Sequence, residues 1–107
     1  MIDVTDATFE EEVLRRSQEV PVVVDLWAPW CGPCQTLGPI IERVVDATEG
    51  AVVLAKVNVD ENSATPSRYS IRGIPALLFF KGGKVADQVV GYAPQDVIDE
   101  KIQRLLA

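Results

Sequence analysis

The chain has 107 residues, 48% hydrophobic and 24% charged, which suits one folded domain over residues 1–107 and excludes both a disordered chain and a membrane-spanning one. Ten Lys and Arg against sixteen Asp and Glu give a net charge of -6, and the scattered cations exclude a phosphate-binding face for nucleic acid. Met1 to Asp6 show neither the basic region nor the apolar run of a signal peptide, so the expected compartment is the cytoplasm, where a close cysteine pair asks for a metal or redox explanation.

Ile2 to Val4 is a short strand candidate, and Thr8 with Glu11 forms a capping-box pattern before a helix in which Phe9 and Val13 share a face. Pro21 admits Val22-Val23-Val24-Asp25-Leu26-Trp27, apolar on both alternating faces except at Asp25, as in a central strand covered on both sides. Leu37, Ile41, Val44, Val45 and Thr48 then recur at helical spacing, and Gly50 sits where a helix commonly ends. Val52 to Val59 is a second β-branched strand, and a short helix occupies part of Ser63 to Tyr69, interrupted or started at Pro66. Ala76 to Phe80 and Val85 to Val90 flank Lys81-Gly82-Gly83-Lys84, the length and chemistry of a hairpin turn. Pro94 suits a first helical turn, and Val97, Ile98, Ile102, Leu105 and Leu106 make one apolar stripe. Helices between the early strands imply parallel pairing and the late hairpin implies antiparallel pairing, so the fold class is α/β with a mixed sheet between helices.

The chemistry concentrates in Trp30-Cys31-Gly32-Pro33-Cys34, directly after the central strand and opening a helix. A thiol at a helix N-terminus meets unsatisfied N–H donors and the positive end of the macrodipole, both of which favour thiolate, so Cys31 is the expected nucleophile. Cys34 falls inside the first turn in line with Leu37 and Ile41 and is expected to face inward as the resolving thiol. Gly32 allows a tight turn and Pro33 fits the first turn, which presets the pair for a short disulfide. Zinc is disfavoured because two cysteines and no histidine fall short of about four ligands. A purely structural disulfide is disfavoured because a four-residue loop contributes only about 2 kcal/mol. Two unreactive core cysteines remain the third alternative. Asp25 interrupts an apolar strand, and burial there would raise its pKa.

Trp27-Ala28-Pro29-Trp30-Cys31-Gly32-Pro33-Cys34, with Asp25, Pro39, Lys56, Ile71-Arg72-Gly73-Ile74-Pro75 and Gly91, resembles the thioredoxin family over essentially the whole chain. Disulfide isomerases and periplasmic oxidases of related type usually carry histidine between their cysteines, and glutaredoxins Pro-Tyr, so Gly32-Pro33 points to a reductant. The resemblance implies a mixed central sheet of about five strands with helices on both faces. It implies a monomeric protein-disulfide reductase that takes two electrons from a flavin-dependent thioredoxin reductase using NADPH and passes them to target protein disulfides, with no bound cofactor and no metal. It further implies that Asp25, near Lys56, exchanges a proton with the buried thiol, and that Ile74-Pro75 is a cis bond beside the disulfide. Trp30, Gly32, Pro33, Ile74, Pro75, Gly91 and Tyr92 would form an apolar docking surface on which the Ile74 backbone pairs with an extended target segment.

Trp27 reads as core support, and Pro39 removes a hydrogen bond from the helix after the cysteines. The sequence departs from the family pattern at Leu26, where an aromatic is frequent, at Gln35, where a cation is frequent, and at Ala76, where threonine is frequent. A non-catalytic interaction module using the same groove is the competing reading from a different class.

Overall fold

Side chains alternate across a strand, so a six-residue apolar run with helices before and after it can feed two cores at once. In the computed structural model, which describes residues 1–107, β2 (Val22–Trp27) does this. Val22, Val24 and Leu26 enter one buried cluster with Phe9, Val13, Leu78 and Phe80, while Val23 enters the other with Leu37, Ile41, Phe79, Ile98 and Ile102. Asp25 shares the parity of Val23 and lies on the second face.

The sheet has five strands in the order β1-β3-β2-β4-β5. β1 (Ile2–Asp3) and β2 run parallel to β3 (Val53–Asn58), whereas β4 (Ala76–Lys81) runs antiparallel to β2 and to β5 (Lys84–Val90). The mixed sheet and the late hairpin agree with the expectation from element order. α1 (Gly32–Asp46) and α3 (Gln95–Leu106) cover one face. The opposite face is covered from the N-terminal side by Phe9 and Val13, and Tyr69 packs edge-on against Phe80.

Local details depart from the sequence expectations. The first helix is a wide π-type turn over Glu10–Arg15 that tightens to 3₁₀ geometry over Arg16–Gln18. Its entry is closed by Thr5 and Thr8, not by Thr8 and Glu11: Thr5 N–H donates to Thr8 Oγ1 at 3.0 Å and Thr8 N–H to Thr5 Oγ1 at 3.3 Å. A threonine three residues on thus takes the part that the capping-box pattern assigns to glutamate. α1 ends at Asp46, and Glu49 and Gly50, both at positive φ, complete the turn. α2 (Ala64–Arg68) tolerates Pro66 because its third residue needs no intrahelical N–H partner. Pro94 is the residue before α3, with extended backbone (φ -71°, ψ 161°), and not in its first turn. Of the stripe on α3, Ile98, Ile102 and Leu105 are buried, Val97 is partly covered and Leu106 is exposed.

Candidate active site

The end of β2 and the start of α1 bring the two cysteines together as a disulfide, Cys31–Cys34. Cys31 has extended backbone (φ -85°, ψ 107°) and caps α1, its Sγ accepting the N–H of Cys34 at 3.2 Å. That donor is one of the first-turn N–H groups that no helix can satisfy internally, and it favours negative charge on Cys31 sulfur once the bond opens. Burial does not separate the two thiols as their positions do: Cys31 is 4% and Cys34 5% exposed. The expected inward placement of Cys34 is found, but Cys31 is equally covered in the disulfide form. Gly32 and Pro33, the first residues of α1, are exposed between them.

Ala28 joins the cysteines in a small buried cluster, with Trp27, Val59 and Ile74 packed against it. Trp27 thus supports the cysteine cluster by packing, and its buried Nε1 has no hydrogen-bond partner. Ile74-Pro75 is a cis peptide bond, with Pro75 buried and Ile74 half-buried. No backbone hydrogen bond engages the N–H or C=O of Arg72, Gly73 or Ile74, whereas Pro75 C=O accepts from Gly91 N–H at 2.7 Å. That bond ties Gly91 (φ +93°) to the same loop, and Tyr92 follows it, half exposed. Trp30 is 71% exposed, its Nε1 donating to Asp60 Oδ1 at 2.9 Å.

Asp25 is 2% exposed, directly in register with Lys56 on β3 and Leu77 on β4. Burial pushes its carboxyl up from the ordinary 3.8 to about 6; the Lys56 ammonium pulls it down, and the Glu42 carboxylate adds to the rise. Lys56 makes no ion pair with it and instead lies over the Trp27 ring, Nζ 5.1 Å from the centroid.

Three contributions to the site were not read from the sequence. Asp60 fixes the Trp30 indole from the loop after β3, Gln35 Nε2 donates to Pro29 C=O at 3.4 Å where a cation was the familiar residue, and the Glu42 carboxylate on α1 adds to the rise of the Asp25 pKa. The first two depend on loop geometry. Glu42 was accessible to helical periodicity, four residues beyond Gly38 and eight beyond Cys34. No cluster of three or more His, Cys, Asp or Glu is arranged to hold a metal ion.

A family model described as Thioredoxin matches residues 1–104. The chain is 46% identical over 103 residues to Thioredoxin 1 of Nostoc sp., covering 96% of this chain and 94% of that protein. It is 49% identical over 100 residues to a thioredoxin of Chlorobaculum thiosulfatiphilum, covering 94% and 91%. It is 45% identical over 103 residues to a thioredoxin of Rhodospirillum rubrum, covering 96% and 97%.

Proposed function

The chain belongs to the thioredoxin family and is a thiol–disulfide oxidoreductase that acts as a dithiol carrier; from that premise we propose which residues carry each step. Cys31 thiolate attacks one sulfur of a target disulfide, forming a mixed disulfide and releasing the other target sulfur as thiolate. Cys34 gives its proton to Asp25 and attacks Cys31 sulfur, which closes the Cys31–Cys34 bond and frees the second target thiolate. Two electrons reach the target. Lys56 tunes Asp25 electrostatically. Trp30, Gly32, Pro33, Ile74, Pro75, Gly91 and Tyr92 receive the target, whose extended backbone pairs with the unused N–H and C=O of Ile74.

One observation carries the assignment of nucleophile: Cys31 sulfur is the helix cap and accepts the Cys34 N–H. The proposed cycle is completed by a flavin-dependent thioredoxin reductase that uses NADPH, without a bound cofactor or metal on this chain. The setting is cytoplasmic, the targets are disulfide-bearing proteins, and the working unit is a monomeric domain spanning 1–107.

Insulin-disulfide reduction with dithiothreitol tests the activity, with Cys31→Ser expected to abolish it. In cell extracts Cys34→Ser is expected to accumulate mixed disulfides with targets on non-reducing gels. Trapping by Cys31→Ser and not by Cys34→Ser would reverse the assignment.

A further inference from the structure

The stretch from Ile71 to Pro75, which offers its backbone to the target, also borders a polar cleft that the cycle above leaves unused. Ser63, Pro66, Ser67, Ser70, Ile71 and Arg72, from α2 and the turn after it, line an open space of about 400 Å3. Its polar groups are unpaired. The ion pairs of the fold, Glu11–Arg15, Asp87–Lys101 and Glu100–Arg104, leave the exposed Arg72 guanidinium without a carboxylate. Side-chain hydrogen bonds around α2 run among Asp6, Asn58, Asp60, Glu61, Asn62, Ala64 and Thr65, so none uses the Ser63, Ser67 or Ser70 hydroxyl. The other charged groups around α2 are already engaged: Asp60 accepts the Trp30 indole N–H, Glu61 the Asn58 amide and Asp6 the N–H groups of Ala64 and Thr65, while Arg68 lies over the Tyr69 ring, 5.4 Å from its centroid.

Three segments form the docking rim, 28–35, 71–76 and 89–95, and in a chain of net charge -6 they carry a single charged residue, Arg72. Resting on the reading of Ile74 as the backbone on which the target pairs, we propose that Arg72, with the Ser67 and Ser70 hydroxyls, is a carboxylate-recognition subsite that selects targets bearing an Asp or Glu beside the disulfide. A strand advances about 3.3 Å per residue, so a segment laid along Ile74 carries a residue two positions on past Arg72. The guanidinium presents paired N–H donors in the geometry a carboxylate accepts, and the serine hydroxyls add neutral donors to the same anion. Charges beyond a Debye length of about 8 Å are screened, so the local cation, and not the net charge of the chain, sets the preference at this point of the rim. Asp60, held on the Trp30 indole, repels an acid placed there, which makes the preference depend on position along the target.

The test uses the reduced full chain and extended cysteine peptides activated as mixed disulfides with thiopyridine, identical but for a Glu or a Gln placed in turn at each position near the cysteine. Cys31 thiolate attacks the peptide sulfur and the leaving group departs as thiopyridone, whose absorbance reports the rate. At low salt the Glu peptide is expected to react about 2- to 5-fold faster than its Gln counterpart at the position that reaches Arg72, the worth of one exposed ion pair, and the ratio to fall toward unity at high salt. Arg72→Gln is expected to bring the ratio to unity, Arg72→Lys to keep part of it, and Ser67→Ala combined with Ser70→Ala to lower it part of the way. A merely structural role for Arg72 would change both rates and leave their ratio intact. A wild-type ratio of unity at every position, or a ratio that Arg72→Gln leaves unchanged, overturns the proposal while leaving the docking reading in place. So does a ratio of unity together with a shift of the Arg72 side-chain NMR signal on titration with inorganic phosphate, the mark of a free-anion site. Gln peptides that react no faster than cysteine itself joined to thiopyridine remove the docking reading, and the proposal with it.

Discussion

Asp25 is the only acid within β2, and 2% exposure leaves its charge with little water. Both folded and unfolded chains hold the proton below 3.8; between 3.8 and about 6 the unfolded chain ionises and the folded one does not, so stability falls as pH rises through that window. Above the window the penalty is constant, on the order of 3 kcal/mol at about 1.4 kcal/mol for each tenfold change in proton affinity. Asp25→Asn is therefore expected to stabilise the oxidised protein at neutral pH by up to about 3 kcal/mol, with no gain near pH 3, provided the amide packs in the same space. Catalysis moves the other way: decay of the mixed disulfide slows at neutral pH, because Cys34 loses its acceptor while Cys31 keeps its cap. Urea denaturation across pH with stopped-flow decay rates measures both. Lower stability at neutral pH with unchanged decay would identify Asp25 as a structurally satisfied acid.

Elements are joined by side chains that bond to distant backbone. Asp6 accepts from Ala64 N–H, Thr65 N–H and Thr65 Oγ1, capping α2 from 58 residues away where Ser63 supplies no side-chain cap. Slight burial raises the Asp6 pKa, but the Thr65 hydroxyl and the two N–H donors outweigh it and hold the carboxyl below its ordinary value. The β4–β5 hairpin is clamped to the first helical segment: Gly82 N–H donates to Ser17 C=O, Gly83 N–H to Ser17 Oγ, and Gln18 Nε2 to Gly82 C=O. Gly83 has φ +81°, and a Cβ there would come 2.5 Å from Gln18 Nε2. Gly83→Ala is expected to cost about 1–2 kcal/mol through left-handed strain and loss of the Gln18 bond, and less in a Gln18→Ala background, as urea midpoints would show. Such ties explain which parts of the fold were legible. Runs like Val22–Trp27 and Ala76–Lys81 announce themselves because burial on both faces demands continuous apolar side chains. The cysteine pair is legible for a similar reason, since its placement after a strand and before a helix already fixes its electrostatics. The Asp6 cap, the Asp60–Trp30 bond and the Thr5–Thr8 entry carry no periodic signature, and the first two join residues far apart in sequence.

Across the whole molecule, hydrophobic burial is divided between clusters of 13 and 11 buried residues on opposite faces of the sheet, while the disulfide belongs to a separate cluster of three. The bond closes a loop of four residues, so its chain-entropy contribution is only about 2 kcal/mol, against total stabilities of ~5–15 kcal/mol for domains in general. A carrier must open this bond in every cycle without losing the surface that recognises its partners. Placing the redox pair at the rim, held by one helix start and one loop, separates the chemistry from the two cores. Reduction by dithiothreitol is therefore expected to lower the urea midpoint by an amount equivalent to about 2 kcal/mol, with an unchanged denaturant slope and native near-ultraviolet circular dichroism. Treatment with a chelator should leave both forms unaffected, because the fold brings together no set of metal ligands. If the reduced chain instead lost its tertiary signal, or its denaturant slope fell markedly, the bond would be a staple for the whole fold, and repeated opening during catalysis would be incompatible with the architecture.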